Sequence, residues 1–421
     1  MTFRHLARWS SAVLLFAPIA ACSIISDALD VTSPEKIERG PLEQSQNAQL
    51  LLNGAIGDFE CALGSFIVAG GLMSGELIES TPTASRWSYD RRDINPNETH
   101  YSTFNCQAIG VYTPIQTARW TADNILGLLE SWTDEQVPDR QEKIATAAAY
   151  AGYARLLLGE AFCSAAIDVG PEMLSEAIFA QAEEKFDVAI AAATSAGNDD
   201  LLHLAQMGRA RARLDQGDLD GAAADAAAIP DDFAWNATYG AEDSRRYNRV
   251  YAQNGDGQGV SVAVAYRSLG DPRVPVIDAG ETATDNRTPL FLQQKYTDYG
   301  VPIRMASGDE ARLILAEALL ADGDRAAAEA IFESLRAEAG APALSAEDLA
   351  LSDAELLAQE RARELFLEGQ HLYDVRRLDL PLVPAADEDY STVYNKGGVY
   401  GTQRCMPLPD VERYNNPNIG G

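Results

Sequence analysis

The stretch QERARELFLEGQHLYDVRRLDL, Gln359–Leu380, places glutamate, histidine, aspartate and arginine side chains on what its periodicity predicts to be a single helical segment. Ser352 precedes the stretch and Glu355 follows three residues later, which is the pattern of a capping box. Leu351 and Leu356 stand where a hydrophobic staple would close the same helix end. The sequence therefore predicts a helix whose start is encoded locally.

An apolar stripe along this helix indicates that one face is buried. The stripe consists of Leu356, Leu365, Phe366, Leu372 and Tyr373. We expect Arg361 to pair with Glu364, and Arg363 with Glu368, along the helix surface. A glycine inside a helix costs about 0.5–1 kcal/mol relative to alanine, so Gly369 indicates a close contact or a turn.

The same polar residues raise the question of catalysis or metal binding. Glu368 and His371 have the Glu-x-x-His spacing of di-iron helical bundles, but such a site needs a second copy, which the chain lacks. Nucleotide-binding glycine loops, a nucleophile elbow and zinc-type Cys/His spacings are also missing from the sequence. We therefore expect a protein that is not an enzyme and that holds no cofactor and no metal.

Four pairs of helical patterns run along the chain. They cover residues 42–66 with 111–132, 141–162 with 172–194, 201–230, and 307–340. The last two pairs turn at Gly-Asp steps, and the Ala328–Phe332 and Ala182–Phe186 spacings resemble tetratricopeptide repeats. The pattern predicts a mostly α protein, a tetratricopeptide-like helical scaffold of about four helix pairs with long irregular loops and minor β hairpins.

The N-terminus has the pattern of an export signal. Arg4 and Arg8 precede an apolar run from about Ala12 to Ala21, which is too short to span a bilayer. The run ends in Ile19-Ala20-Ala21-Cys22, which resembles a bacterial lipobox. We expect a signal peptide over residues 1–21, lipidation of Cys22, and a lipid-anchored tether over residues 22–41. The alternative is a plain secretory signal with Cys22 as a bystander.

The charge balance excludes one class of partner. The chain has 33 basic and 63 acidic residues among 421, for a net charge of −30. Such a surface repels phosphate backbones, so we expect no nucleic-acid binding. A solvated exterior explains the acidic surplus without any partner.

Four cysteines remain after Cys22, namely Cys61, Cys106, Cys163 and Cys405. Export to an oxidising compartment favours two disulfides, and four cysteines allow three pairings. We favour Cys61–Cys106, which would close the first long loop, and Cys163–Cys405, which would tie the C-terminal tail to the helical body.

The opening stretch resembles the C-terminal signature of the SusD/RagB family, the surface lipoproteins that accompany TonB-dependent transporters. The positions that fit are Arg361, Glu364, Leu365, Glu368, Gly369, Asp374 and Arg377. Further segments fit in order: Arg119 and Asn124, Asp271–Val274, Lys295–Tyr296, Ala311–Asp324, and the closing PLPDVERYNNPNI. The segment CSAAIDVGP replaces the family's Gly-Asp-x-Pro loop only loosely. The resemblance spans essentially the whole mature chain and is most specific from about Ser307 onward.

This resemblance implies a SusD-like domain over residues 42–421. Its helical repeats would cover about 42–66, 111–230 and 307–378, its ligand-loop insertions about 70–110 and 231–302, and its C-terminal tail 379–421. It implies a non-catalytic nutrient-binding lipoprotein, exposed at the cell surface on the outer membrane. The protein would capture an oligosaccharide, or a peptide, and deliver it to a SusC-like TonB-dependent transporter.

The two long loops are where a ligand is expected to bind. Structureless segments of this length are usually functional, and aromatic, Asn, Asp and Arg side chains suit sugar rings by stacking and hydrogen bonding. The candidate ligand contacts are Trp87, Tyr89, Arg91, Tyr101, Trp235, Tyr239 and Tyr299. Ordinary loop packing is the alternative for each of them.

Two other functions compete with nutrient capture. A tetratricopeptide-type lipoprotein could scaffold protein assembly at the outer membrane and bind protein segments. A surface hydrolase is the third possibility, although nothing in this acidic chain singles out a catalytic carboxylate pair.

Overall fold

The computed structural model describes residues 39–390 and 396–419. The expected signal peptide, Cys22 and most of the expected tether lie outside these residues. Within residues 39–44, a short helix spans Arg39–Leu42. The described residues from Ser45 onward form one compact unit, and all further features belong to it.

This unit is mostly helical, as the sequence predicts. Its main helices are α1 (Ala48–Ser74), α2 (Tyr112–Ser131), α3 (Arg140–Ala161), α4 (Ser175–Ala196), α5 (Asp199–Gln216), α6 (Leu219–Ala226), α7 (Gly308–Ala321), α8 (Arg325–Ala339), α9 (Asp353–Glu364) and α10 (His371–Arg377). Shorter helical segments are Ser45–Asn47, Ala84–Arg86, Trp87–Arg91, Cys106–Ala108, Ser244–Arg246, Tyr251–Asp256, Val264–Tyr266, Ala346–Leu349 and Asp410–Asn415.

Helices that follow one another in sequence pack side by side from α1 to α5, and α7 packs on α6 and α8. Phe186 of α4 is fully buried between Gly152 of α3 and Gly208 of α5. A Cβ on Gly152 would lie 2.7 Å from the Phe186 ring, so a glycine is required for this approach. The small-residue and aromatic pattern of the sequence thus sets the helix spacing.

Helix α1 is the central helix of the core. Within the described residues, Ser45–Ser74 is the one helical stretch long and apolar enough to cross a membrane, and 83% of its apolar window is buried inside the protein. Its apolar composition is accounted for by packing against α2, α3 and α10.

Four two-stranded antiparallel sheets lie in the described loops. The strands are β1 (Leu77–Glu79), β2 (Ser164–Ala165), β3 (Met173–Leu174), β4 (Ala234–Ala237), β5 (Val260–Val262), β6 (Val276–Thr282), β7 (Pro289–Gln293) and β8 (Ile303–Ser307). The pairs are β1–β5, β2–β3, β4–β8 and β6–β7, with Ile78 opposite Ser261 in the first. Because β1 and β5 come from different long loops, their pairing joins the two loops into one structure.

The stretch Gln359–Leu380 does not form one helix, so that prediction is wrong. Helix α9 ends at Glu364 and α10 begins at His371, with Leu367 at φ 55° and Gly369 at φ 101° between them. A Cβ on Gly369 would lie 2.9 Å from Phe66 Cε1 of α1. Gly369 therefore supplies both the close contact and the turn. The capping box of Ser352 is present as predicted.

The expected Arg–Glu pairs along the helix surface are also wrong, because these side chains pair with residues on other segments. Arg361 pairs instead with Asp374 at 2.9 Å, across the turn. Arg363 lies 3.8 Å from Asp271. Glu364 is paired with Arg273 and Arg304, at 3.5 and 3.3 Å.

Glu368 is a buried carboxylate of this segment that has two cation partners. It is 5% exposed, and it lies 2.6 Å from Lys295 Nζ and 2.9 Å from Arg304 Nε. Burial alone would raise the pKa of Glu368, but these two cations bring that pKa below its usual value. The Glu368 carboxylate is thus an ionised structural anchor.

The four cysteines form two disulfides, Cys61–Cys106 and Cys163–Cys405. These are the two pairings favoured from the sequence. The first links α1 to the loop before α2. The second links the end of α3 to the C-terminal tail, beside a bridge between Phe162 and Met406.

Candidate functional site

Three of the seven proposed ligand contacts lie inside the protein. Tyr89, Tyr101 and Tyr239 are 1%, 0% and 9% exposed. Each hydroxyl donates a hydrogen bond of 3.0 Å to a main-chain carbonyl, those of Ile109, Pro96 and Glu60 respectively. A long loop needs buried anchors of its own, and large aromatic rings supply them. The structure corrects the prediction for these three residues, whose role is to hold the loops on the helical body.

Trp87 and Arg91 are half-buried on the helical segment Trp87–Arg91. The Trp87 indole N–H donates to the carbonyl of Thr81 at 2.9 Å, and Lys396 Nζ lies 5.9 Å from the centre of its ring. The Arg91 guanidinium lies 6.0 Å from the centre of the Tyr390 ring. These contacts join the first long loop to the C-terminal tail, which is the packing alternative that the sequence left open.

Trp235 lies on β4 and is also half-buried. Its indole N–H donates to the hydroxyl of Tyr150 on α3 at 3.3 Å, and its ring packs against the main core. The side chain therefore fastens the second long loop to the helical body.

Tyr299 is the one proposed contact that belongs to a partly exposed aromatic cluster. Its ring lies over that of Tyr247, with centroids 3.9 Å apart and planes 30° apart. The ring of Tyr251 meets it edge-on at 5.0 Å and 89°. We call Tyr247, Tyr251 and Tyr299 the tyrosine platform.

A buried asparagine sets the position of the tyrosine platform. Asn248 is fully buried and its main-chain N–H donates to the carbonyl of Tyr299 at 2.8 Å. Its Nδ2 donates to the carbonyl of Val301 at 2.8 Å, and its Oδ1 accepts from the N–H of Tyr251 at 3.1 Å. One side chain thus ties both platform segments together, and the rings are held before any ligand arrives.

The polar groups of the platform are a carboxylate and a buried guanidinium. A hydrogen bond to Asp256 raises the pKa of Tyr299 to about 12, so its hydroxyl stays protonated at neutral pH. Burial lowers the pKa of Arg249, while the hydroxyls of Tyr239, Tyr299 and Tyr247 oppose that shift. Arg249 Nη2 donates to the carbonyl of Ser244 at 2.5 Å, which fixes the guanidinium next to the rings.

Sequence reasoning missed Tyr247 and Tyr251. Their signal was the pair of tyrosines four positions apart in Tyr-Asn-Arg-Val-Tyr, residues 247–251. Tyr299 is 48 positions further along the chain than Tyr251. The sequence carries no sign that the two segments meet.

The platform offers ring faces, phenol hydroxyls and one carboxylate to a ligand. Such a surface stacks on the apolar face of a polyhydroxylated ring and hydrogen-bonds its edges. Among residues 39–390 and 396–419, no three His, Cys, Asp or Glu side chains are grouped to hold a metal ion.

Residues 215–419 match the model of the SusD family. This part of the chain belongs to the SusD family. The SusD-family residues include the whole tyrosine platform and the stretch Gln359–Leu380. The Glu368 anchor and the platform therefore lie in the same family domain.

Solved SusD structures share the fold over a longer range. A SusD superfamily protein from Bacteroides fragilis matches 90% of this chain and 99% of its own, with TM-score 0.66 and 13% identity. Surface glycan-binding protein A from Bacteroides uniformis matches 89% and 98%, with TM-score 0.65 and 15% identity. A laminarin-binding SusD-like protein matches 89% and 98%, with TM-score 0.58 and 17% identity. No curated protein sequence matches the chain.

Proposed function

We propose that this chain is a nutrient-binding lipoprotein of the outer membrane that captures an oligosaccharide on the tyrosine platform. The observation that carries the proposal is the stacked pair Tyr247 and Tyr299, partly exposed and fixed by the buried Asn248. Aromatic faces held in this way are the usual partners of sugar rings. Membership of residues 215–419 in the SusD family supports the same role, as do the solved neighbours described as glycan- and laminarin-binding.

The platform is tested by measuring carbohydrate binding to the purified protein by calorimetry, with laminarin, amylopectin, xylan and galactomannan as probes. A stacked ring contributes about 0.5–1.5 kcal/mol, so Tyr247→Ala and Tyr299→Ala should each weaken binding about 2- to 12-fold. Tyr414→Ala is the matched control, because Tyr414 is 82% exposed and lies outside the platform. Equal losses in all three variants, or no loss in the platform variants, would refute the site.

Capture at the cell surface requires an anchor, and we propose lipidation at Cys22. The residues that would carry it lie outside the described part of the chain, so the support is the lipobox-like Ile19–Cys22 sequence. Cys22→Ser should release the protein from the membrane fraction and abolish incorporation of labelled palmitate. External protease should digest the wild-type protein on intact cells, and complete protection would favour a periplasmic location.

We further propose that the protein delivers its ligand to a SusC-like TonB-dependent transporter. The support is the SusD-family match of residues 215–419 together with the geometry of the tyrosine platform. Affinity purification from detergent-solubilised outer membrane should recover a large TonB-dependent barrel. Recovery of periplasmic assembly proteins in its place would favour the scaffold alternative.

A further inference from the structure

A second feature with binding geometry lies away from the tyrosine platform. A cavity of about 320 Å³ opens between α9, α10, the end of α1 and the loop after β5. It adjoins a cavity of about 240 Å³, and both are lined by Gly75, Ala265 and Val383. The described walls of the larger cavity include no residue of the platform. We call the larger one the Arg363 cavity.

The Arg363 cavity has a cation whose donors are unused. The Arg363 guanidinium makes no hydrogen bond within the described residues, and the nearest carboxylate oxygen, on Asp271, is 3.8 Å away. Every other arginine of Gln359–Leu380 donates a hydrogen bond, for example Arg361 to Asp374 at 2.9 Å. Five donors in a planar fork suit a carboxylate, which accepts two of them in parallel.

The cavity also has an imidazole without a partner. His371 lines the cavity, and its Nδ1 is buried with no hydrogen-bond partner in the described residues. Burial lowers the pKa of His371, although the neighbouring Asp374 opposes this, so the ring is neutral near pH 7. A buried nitrogen without a partner costs free energy that a ligand oxygen or N–H would recover.

The remaining walls are mostly apolar and partly open to solvent, and their polar members are Ser74, Gln359 and the Glu355 carboxylate. Tyr266 is 7% exposed and stands edge-on to the His371 ring, with centroids 6.1 Å apart. Leu269 and Val383 are 37% and 53% exposed at the edge of the cavity. Walls of this kind suit an apolar ring better than a sugar, whose several hydroxyls would lose hydrogen bonds to water.

We propose that the Arg363 cavity binds a small monocarboxylic acid with an apolar ring. Arg363 holds the carboxylate, His371 makes one further hydrogen bond, and the ring lies against Tyr266 and Leu269. The volume is at the lower end of ligand pockets, which begin at about 300 Å³, so one ring with a short chain fits. This site is additional to the platform, and the proposal does not depend on glycan binding there.

The test uses 3-phenylpropanoate as the probe and 3-phenylpropan-1-ol as its uncharged match, with binding to the purified protein followed by NMR titration. The acid should bind at least tenfold more tightly than the alcohol. Arg363→Met should lower the affinity for the acid to that for the alcohol, and Arg363→Lys should give an intermediate value. Ala358→Phe, which fills the cavity from α9, should abolish binding of both. Arg287→Met, at an exposed arginine that lines neither cavity, should change nothing.

Several results would overturn the proposal. They are failure of the acid to bind, equal affinities for acid and alcohol, or unchanged binding in both Arg363→Met and Ala358→Phe. Thermal melting of each variant separates loss of folding from loss of binding. If a variant fails to fold, the comparison of acid with alcohol on the wild-type protein still decides the outcome.

Discussion

Replacing Gly369 by alanine tests whether the turn between α9 and α10 is held by its contact with α1. Gly369 has φ 101°, a conformation that costs a residue with a Cβ about 1–3 kcal/mol. The new Cβ would also lie 2.9 Å from Phe66 Cε1 and 3.2 Å from Ile67 Cγ1. Phe66 and Ile67 are both fully buried, so relief requires shifts in a close-packed core, at about 1–3 kcal/mol. We expect Gly369→Ala to destabilise the protein by about 2–6 kcal/mol.

Gly340→Ala separates the two contributions. Gly340 ends α8 at φ 69°, and a Cβ there meets nothing within 4 Å, so only the backbone cost of about 1–2 kcal/mol applies. The assay is urea unfolding followed by far-UV circular dichroism, with the free energy of unfolding extrapolated to water. Gly369→Ala should also cost less in a Phe66→Leu background, because the opposing ring is gone. If Gly369→Ala cost no more than Gly340→Ala, the contact with Phe66 would not be what fixes the turn.

Three further perturbations have defined outcomes. Burial raises the pKa of Glu76 from 4.5 to about 7. Between these pH values the folded protein holds a proton that the unfolded chain releases, so the free energy of unfolding should fall as pH rises from about 4.5 to 7. Glu76→Gln should flatten that dependence in urea titrations at several pH values, and Glu347→Gln, at an exposed site, should not. Glu368→Gln leaves two cations without their shared carboxylate and should cost about 3–5 kcal/mol in the same assay. Cys405→Ser removes a disulfide between residues 242 positions apart, so it should lower the free energy of unfolding by about 2–5 kcal/mol. Limited proteolysis should cut the C-terminal tail of this variant faster than that of the wild-type protein under the same conditions.

The parts of the fold that the sequence predicted correctly depend on neighbouring residues. The capping box of Ser352 and Glu355 needs residues three positions apart. The Gly-Asp turns also depend on residues three positions apart, because Asp218 and Asp324 accept hydrogen bonds from the N–H groups of Gly221 and Ala327. Interactions at this range are fixed by local geometry, so periodicity and spacing are enough to find them.

The failures concern residues whose partners lie far away in sequence. The sequence predicts that Glu368 pairs with Arg363, five positions before it, whereas its partners are Lys295 and Arg304. The loop position of Tyr89 allows either a ligand contact or loop packing, and its hydroxyl donates a hydrogen bond to the carbonyl of Ile109 inside the protein. A single sequence contains no record of such pairings, and burial decides between structural and functional roles for the same residue type.

Hydrogen bonds connect the stretch Gln359–Leu380 to the segment that carries Tyr299 of the platform. Glu368 accepts from Lys295 Nζ at 2.6 Å, and the carbonyl of Leu367 accepts from the hydroxyl of Tyr296 at 3.1 Å. Tyr299 follows three residues after Tyr296, so the turn at Gly369 fastens the segment that presents the platform ring. Since Asn248 holds the other end of that segment, the position of Tyr299 is set from both sides. The charged residues of the stretch therefore help to determine where the Tyr299 ring of the proposed binding platform lies on the surface.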